Sequence, residues 1–382
     1  MNVEPASGET NGDLLRLVRW RWVLLVTVAV AGTVLAGGRG DWDFFVASGK
    51  AMFDVDGFSV YAHRGDTQTG PLSLLIARLF AFTARNGFVL SSVTCLMLGL
   101  VSLRVVERIC RGALDAMRAE LLTLIGGLCL LVWWGQFSGF GHLDDAIVLT
   151  IGAVVVERRL QGGHRLSPVL VGLAIAVKPW AVFFLPLTLG VNVGNPADEA
   201  PTESSLRARM RVLIGPLLAI AVAAVLWAPF VLADSGTLRA LRPTVNLAPD
   251  SVLALFLSDS TSIPEWLRTA QLVGGLGLGL ALVVRGRALS LPLACIALRL
   301  AIDPGTWAYY TPGLLIGALL LDARESRTYW PVCTLAATVL LAPPSIVPSD
   351  TLGGVMRALA CVGAIVLAWA WPLRERAVER AV

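Results

Sequence analysis

Apolar segments of about 20 residues recur along almost the whole chain, and they constrain its fold more than any other feature. A segment of that length crosses the hydrocarbon core of a bilayer as an α-helix. Only 15% of the 382 residues are charged, and the mean hydropathy is +0.72. The sequence therefore predicts an all-α polytopic membrane protein, with residues 1–382 forming a single integral membrane domain.

Arginines on one side of the first apolar run set the predicted orientation. Arg16, Arg19 and Arg21 precede the run at 22–38, which indicates a cytoplasmic N-terminus because cytoplasmic loops are rich in basic residues. Residues 1–12 are polar and are expected to form a mobile cytoplasmic tail. The run contains Ala29-Val30-Ala31, a pattern also found at signal-peptide cleavage sites. We expect it to be retained, since cleavage would remove a helix that the later topology needs.

When successive loops are assigned to alternate sides of the membrane, starting from a cytoplasmic N-terminus, the sequence predicts about 10–12 transmembrane helices and a cytoplasmic C-terminus. Two further segments are irregular: 71–84 is short for a full span, and 168–190 is interrupted by Lys178-Pro179, where proline disfavours helix. We interpret 168–190 as two half-helices that meet at Lys178 on the outer side. The uninterrupted spans are predicted at 22–38, 87–106, 119–134, 145–157, 212–231, 268–284, 288–302, 306–321, 329–342 and 352–371.

Two long loops are predicted on the extracytoplasmic side, at 39–70 and 232–266. The first is expected to contain a short interfacial helix at 47–53. Most arginine clusters lie on the cytoplasmic side in this topology, as the positive-inside rule expects. The basic residues on the extracytoplasmic side depart from that rule and are therefore candidates for a functional role. They are Lys50, His63, Arg64, Lys178, Arg239, Arg242, Arg268 and Arg299.

Asp41 and Asp43 follow the first apolar run directly and are flanked by aromatic residues. Ionisable groups at membrane depth are costly and usually functional. We interpret the pair as candidate catalytic residues, with Asp41 as the general base and Asp43 as the second candidate for that role. The alternative is a solvated loop in which an aspartate caps the following helix. The spacing also resembles metal-binding aspartates of soluble nucleotide-sugar enzymes, but no βαβ pattern surrounds it.

A second polar cluster spans residues 135–145. Gln136, His142, Asp144 and Asp145 are candidate substrate-binding residues there, and the alternative is a polar turn. The chain has only three histidines, and its six cysteines lack metal-binding spacing, so no metal and no cofactor are expected.

Lys178 is the residue that most strongly indicates a binding site, because it lies in an apolar segment next to a helix break. A lysine ammonium suits phosphate as a point charge, whereas the alternative is a side chain that reaches harmlessly to the interface. Arg242 and Arg299 are candidate helpers in phosphate binding. Arg299 could equally pair with Asp303, four residues later.

Aromatic residues follow Asp303 in the run Asp303-Pro304-Gly305-Thr306-Trp307-Ala308-Tyr309-Tyr310. Aromatic belts at membrane interfaces would explain them, and stacking on a sugar ring is an alternative use. Asp303, Trp307, Tyr309 and Tyr310 are therefore candidate substrate-binding residues.

The order of these motifs resembles that of the membrane glycosyltransferases of the GT-C superfamily, and most of all glycosyltransferase family 87. That resemblance is carried by Asp41 with Phe45, Tyr61, Thr69-Gly70-Pro71-Leu72, Gly135-Gln136, Lys178-Pro179 and the run 303–310. Tyr309 and Tyr310 stand where the family has two histidines.

The resemblance implies a GT-C-like helical bundle with a long first extracytoplasmic loop. It also implies a bacterial cell-membrane enzyme that transfers a hexose, most often mannose, from a polyprenyl-phosphate donor to a lipid or glycan acceptor on the extracytoplasmic face. Beyond donor, acceptor and membrane lipids, no nucleic-acid partner is expected. A transporter or flippase for a lipid-linked or anionic solute is the alternative function, because broken helices also form transporter binding sites.

Overall fold

A computed structural model describes residues 18–163, 165–190, 205–240, 246–257, 266–325, 328–342 and 349–370. Every regular element in these ranges is a helix, which confirms the all-α prediction. The α-helices are α1 (Arg21–Ala36), α2 (Trp42–Phe53), α3 (Val60–His63), α4 (Pro71–Phe80), α5 (Phe88–Arg111), α6 (Ala116–Phe140), α7 (Leu143–Leu160), α8 (Ser167–Val177), α9 (Ser205–Ala233), α10 (Thr237–Ala240), α11 (Trp266–Val284), α12 (Leu291–Ala301), α13 (Thr311–Glu325), α14 (Val332–Leu341) and α15 (Asp350–Ala370). Short 3-10 helices lie at Gly57–Ser59, Pro179–Thr188, Leu253–Leu255, Ala288–Ser290 and Ala308–Tyr310.

Within the described ranges, five segments are long and apolar enough to cross a membrane. These are Phe88–Arg111, Ala116–Phe140, Val212–Ala233, Trp266–Val284 and Asp350–Ala370. Large apolar side chains face outward from the bundle, such as Leu35 on α1 and Val225 on α9, at 85% and 70% exposure. An apolar outer surface is what a bilayer stabilises, so the fold is consistent with a multi-pass membrane protein.

Close packing of α1 against α6 aligns the ends of both helices. A side chain at Gly135 would overlap the backbone of Gly32, and small residues of this kind let membrane helices approach closely. Beyond α1, Gly40 adopts a φ of +44° and meets the backbone of Phe140. The Asp41 amide then donates a 2.8 Å hydrogen bond to the Phe140 carbonyl. The end of α1 is thereby held against the turn between α6 and α7.

The predicted break at Lys178 is present, and neighbouring groups satisfy the exposed end of α8. The Val177 carbonyl accepts hydrogen bonds from the Gly70 amide (2.8 Å), Ser73 Oγ (2.7 Å) and Thr69 Oγ1 (3.2 Å). After the break the chain forms the 3-10 helix Pro179–Thr188 instead of a second α-helical half. Prolines at both 179 and 186 lack the N–H donor that an α-helix needs.

The first predicted loop is more helical than expected. The helix predicted at 47–53 begins five residues earlier, as α2, and packs on the short helix α4, where a Cβ at Gly49 would lie 2.6 Å from the Leu74 carbonyl oxygen. The structure describes 39–70 completely and the second predicted loop, 232–266, only in part. The predicted tail at 1–12 lies outside the described residues.

Candidate functional site

One cavity of about 910 Å³ collects most of the predicted site residues. Its wall is built from the start of α2, the segment before α4, the start of α7, the break at Lys178, and residues of α11, α12 and the loop between α12 and α13. The predicted site residues that line it are Asp41, His142, Asp145, Lys178, Arg299, Asp303, Trp307, Tyr309 and Tyr310. Residues separated by up to 269 positions in the sequence therefore share one space.

Asp41 presents an accessible carboxylate to the cavity. It occupies the position before α2, but its side chain makes no capping hydrogen bond, so the capping alternative does not describe it. The side chain is 63% exposed, and its Oδ2 lies 3.2 Å from His142 Nε2. The neighbouring His142 and, more weakly, the Lys178 ammonium lower the pKa of Asp41 against the opposing effect of burial.

Asp43 points elsewhere. Two residues along a helix are separated by about 200° around its axis, so Asp43 faces away from Asp41. It pairs with Arg39 at 3.4 Å on an exposed surface and is not among the cavity-lining residues. The structure therefore separates the two aspartates that the sequence analysis treats as alternatives.

His142 lies between carboxylates from three positions. Its Nε2 faces Asp41, and its Nδ1 lies 3.3 Å from Asp145 Oδ2 and 3.4 Å from Asp144 Oδ1. The ring is 4% exposed and stacks on Tyr309, with 3.8 Å between ring centroids. Burial disfavours the charged ring, but the three carboxylates outweigh it and raise the pKa of His142 to about 10. The turn at residues 141–142 is thus an ionic site, while the rest of the predicted polar turn is helical: 135–140 belong to α6 and 143–145 to α7.

Lys178 is already paired inside the protein. Its ammonium donates to Asp144 Oδ2 at 2.6 Å and lies 3.4 Å from Asp145 Oδ2. Thr69 Oγ1 also donates to Asp144 (2.8 Å), and Trp180 Nε1 donates to Asp145 (2.7 Å). The side chain is 7% exposed and does not reach a bulk interface, so the ammonium serves first as a counter-ion for two buried carboxylates.

His142, Asp144 and Asp145 could each offer one ligand atom to a metal ion, within 4.8 Å of one another. The Lys178 ammonium, however, contacts both carboxylates of this set. The Lys178 ammonium therefore already neutralises part of the negative charge that would otherwise attract a metal ion. The arrangement fits an internal ion cluster better than a metal centre.

Two arginines that line the cavity share a single acid. Arg268 and Arg299 approach Asp303 Oδ2 at 3.7 and 3.8 Å, both longer than a hydrogen bond. Arg299 thus does contact Asp303, as the alternative in the sequence analysis proposes, but it shares that carboxylate. Its guanidinium also lies between the rings of Trp180 and Tyr310, at 4.9 and 5.0 Å from their centroids.

Arg268 was not among the predicted phosphate-binding residues, although its predicted position on the outer side was a usable signal. Its guanidinium donates to Gln271 Oε1 (2.8 Å), and Gln271 donates onward to the carbonyl of Ile302 (2.9 Å). This chain of hydrogen bonds connects α11 with the end of α12. Both arginines therefore face the cavity from helices that are tied together.

The remaining predicted residues separate into three groups. Trp307, Tyr309 and Tyr310 line the cavity, with the first two rings stacked at 11° and 6.1 Å. Gln136 lies half-buried in α6 and is not among the cavity-lining residues, and Asp144 lies one layer behind them. Arg242 lies outside the described residues.

No protein-family model matches the chain, and neither the curated proteins nor the solved structures contain a significant match.

Proposed function

We propose that the protein is a membrane glycosyltransferase of the GT-C type. It would move a hexose, with mannose expected from the resemblance, from a polyprenyl-phosphate donor to a lipid or glycan acceptor at the extracytoplasmic face of a bacterial cell membrane. The observation that carries the proposal is the shared cavity. An accessible carboxylate, Asp41, and two arginines, Arg268 and Arg299, line the same space of about 910 Å³.

Asp41 serves as the general base in this proposal. It takes the proton of the acceptor hydroxyl as the acceptor oxygen bonds to the anomeric carbon of the sugar. The bond between that carbon and the phosphate oxygen breaks, and its electron pair leaves with the polyprenyl phosphate. An acceptor oxygen that enters opposite the phosphate inverts the anomeric centre, as the resemblance also implies.

Arg268 and Arg299 bind the donor phosphate in this proposal. Guanidinium groups suit phosphate because their N–H donors match its oxygens in pairs. Both groups face the cavity and share one carboxylate at distances beyond hydrogen bonding, so most of their donors are available. Lys178, which is paired with Asp144 and Asp145 and also lines the cavity, contributes further positive charge.

The test uses purified protein in lipid nanodiscs with radiolabelled polyprenyl-phosphate mannose and a lipid extract as the source of acceptors. We expect a labelled product with wild-type protein and none with Asp41→Asn. Polyprenyl-phosphate glucose in a parallel reaction identifies the sugar. A protein that binds the donor but forms no product with any sugar or acceptor fraction would contradict the proposal.

A transporter of an anionic or lipid-linked solute is the second candidate, favoured by one observation. The buried ion cluster of Lys178, Asp144 and Asp145 lies at a helix break, as ionisable groups do in transporters. Reconstituted liposomes discriminate the two functions. Time-dependent movement of labelled polyprenyl-phosphate sugar between leaflets, with the glycosidic bond intact, would favour the transporter.

A further inference from the structure

His142 meets negative charge at both of its ring nitrogens. Asp41 lies 3.2 Å from Nε2, and Asp145 and Asp144 lie 3.3 and 3.4 Å from Nδ1. Neither ring nitrogen has an aligned hydrogen-bond partner among the described residues, and the ring is 4% exposed. The contacts are therefore ionic ones in a space with little water.

A neutral imidazole does not fit these surroundings. It carries one N–H and one lone pair, so in either tautomer an unprotonated nitrogen would lie within 3.4 Å of a carboxylate oxygen. The doubly protonated ring presents N–H groups on both sides. A neutral ring would also leave the two buried carboxylates, Asp144 and Asp145, with Lys178 as the one cation within 4 Å among the described residues, and unpaired buried carboxylates are costly.

We infer that His142 is a permanently protonated imidazolium that holds the Asp41 carboxylate ionised and oriented at the cavity, and that it is not itself the proton acceptor. The ring is a positioning residue, because it acts through Asp41. Its effect on transfer rests on the proposed function, whereas the charge on the ring does not.

Two further titratable groups lie near the ring. The Lys178 ammonium, paired with Asp144 and Asp145, opposes the charge on His142 but does not outweigh the three carboxylates, and the Tyr309 phenol stacks on the ring as a neutral group. The other oxygen of the Asp41 carboxylate is left for an acceptor hydroxyl, since that side chain is 63% exposed.

Arginines do not take the place of the imidazolium next to Asp41. Arg39 precedes Asp41 but pairs with Asp43, and Arg299 contacts Asp303 and the rings of Trp180 and Tyr310. His142 is thus the cation in direct contact with Asp41 among the described residues.

Nuclear magnetic resonance tests the ring charge without any transferase assay. The chain has three histidines, so the double variant His63→Gln, His164→Gln leaves His142 as the single ¹⁵N-histidine signal in nanodiscs. We expect both nitrogens to be protonated at pH 7.5 and to remain so up to pH 9. A neutral tautomer at pH 7.5 would overturn the inference.

Adding Asp41→Asn to the same background removes one of the three carboxylates. The ring should then lose its proton at a lower pH than before. An unchanged titration would mean that Asp41 does not contact the ring, and it would also overturn the inference.

The pH dependence of transfer tests the positioning role. Removing the imidazolium raises the pKa of Asp41, so Asp41 stays protonated up to a higher pH. The acidic limb of the pH–rate profile therefore shifts to higher pH in His142→Gln. The matched control is His63→Gln, because His63 is exposed and pairs with Asp56 outside the cavity. An acidic limb that does not move in folded His142→Gln would overturn the role, and so would complete loss of activity at every pH, which would identify the ring as proton acceptor. If wild-type protein lacks transferase activity, the proposed function fails while the resonance experiment still decides the ring charge.

Discussion

Helix α7 has buried charges at both ends, and the two sets are arranged in opposite ways. At its start lies the cavity cluster, formed by Asp41, His142, Asp144, Asp145 and Lys178. Near its end lies the arginine cluster, formed by Arg21, Arg104, Arg111, Glu107 and Glu120. A spacing of 1.5 Å per residue puts the two ends of α7 about 25 Å apart.

In the arginine cluster, each carboxylate is directly satisfied. Glu107 is fully buried and accepts from Arg21 (2.8 Å), Arg111 (3.0 Å) and Arg104. Arg21 and Arg111 also contact Glu120, at 3.2 and 3.1 Å. Nearby, Arg108 pairs with Glu157 at the end of α7 (2.8 Å). Both carboxylates of this set are hydrogen-bonded and join α1, α5 and α6, although Arg21 Nε lacks a hydrogen-bond partner among the described residues.

In the cavity cluster, by contrast, three carboxylates face two basic groups, His142 and Lys178, and the hydrogen bonding is incomplete. Both His142 nitrogens and Asp145 Oδ2 lack an aligned partner among the described residues. Buried polar atoms without partners are rare, and they often mark sites of function. The two clusters thus differ in position as well as in bonding: the arginine cluster joins three helices, whereas Asp41, His142, Asp145 and Lys178 line the cavity.

Asp41→Asn should have the largest effect in either cluster. Loss of a general base lowers the rate by about 10²–10⁴-fold, while the fold persists because the side chain is largely exposed. Transfer of labelled sugar in nanodiscs measures it. Asp43→Asn is the matched control and should retain wild-type rates, since Asp43 faces away from the cavity; the reverse pattern would identify Asp43 as the base.

Glu107→Ala should lower stability without changing the chemistry. It leaves buried Arg21 with one partner fewer, and breaking a buried ion pair costs about 3 kcal/mol. We expect a lower Tm in detergent and a wild-type rate per folded molecule at low temperature. An unchanged Tm together with lost transfer would reverse the roles assigned to the two clusters.

Arg299→Lys and Arg268→Lys should each raise the KM for the donor about tenfold with a smaller effect on kcat, because lysine lacks the paired donors of arginine. Initial rates at varied donor concentration measure both constants. Arg39→Lys is the matched control on the surface outside the cavity. An unaltered KM in both cavity variants would exclude these arginines from phosphate binding.

Trp307→Ala should have the smallest effect, a decrease in kcat/KM of a few-fold. The ring is 47% exposed at the cavity and would lose packing area against sugar or lipid. Trp330→Ala, a similarly exposed tryptophan away from the cavity lining, serves as control. Equal effects of the two substitutions would indicate a general contribution of surface tryptophans.

Most of the helices could be predicted from the sequence. The spans predicted at 268–284 and 352–371 correspond to Trp266–Val284 and Asp350–Ala370, because apolar length is a local property. The break at Lys178-Pro179 was predictable for the same reason, since proline acts on its own turn. The number of crossings and the sides of the membrane stay predictions.

The roles of individual charges were less predictable. Lys178 was expected to bind phosphate, and only the packing of α7 beside α8 brings Asp144, 34 residues away, to within 2.6 Å of it. The sequence does not distinguish the roles of Asp41 and Asp43. In the structure the helical rotation between them directs Asp41 to the cavity and Asp43 away from it.

The sequence by itself determined a helical chain with several apolar segments long enough to cross a membrane, the place of its broken helix and the residues from which a site could be built. Tertiary structure decided which of those charges neutralise one another and which face an open cavity. Ion pairing depends on distances of a few ångströms between helices that are remote in sequence, whereas hydrophobic length and proline act within a single segment.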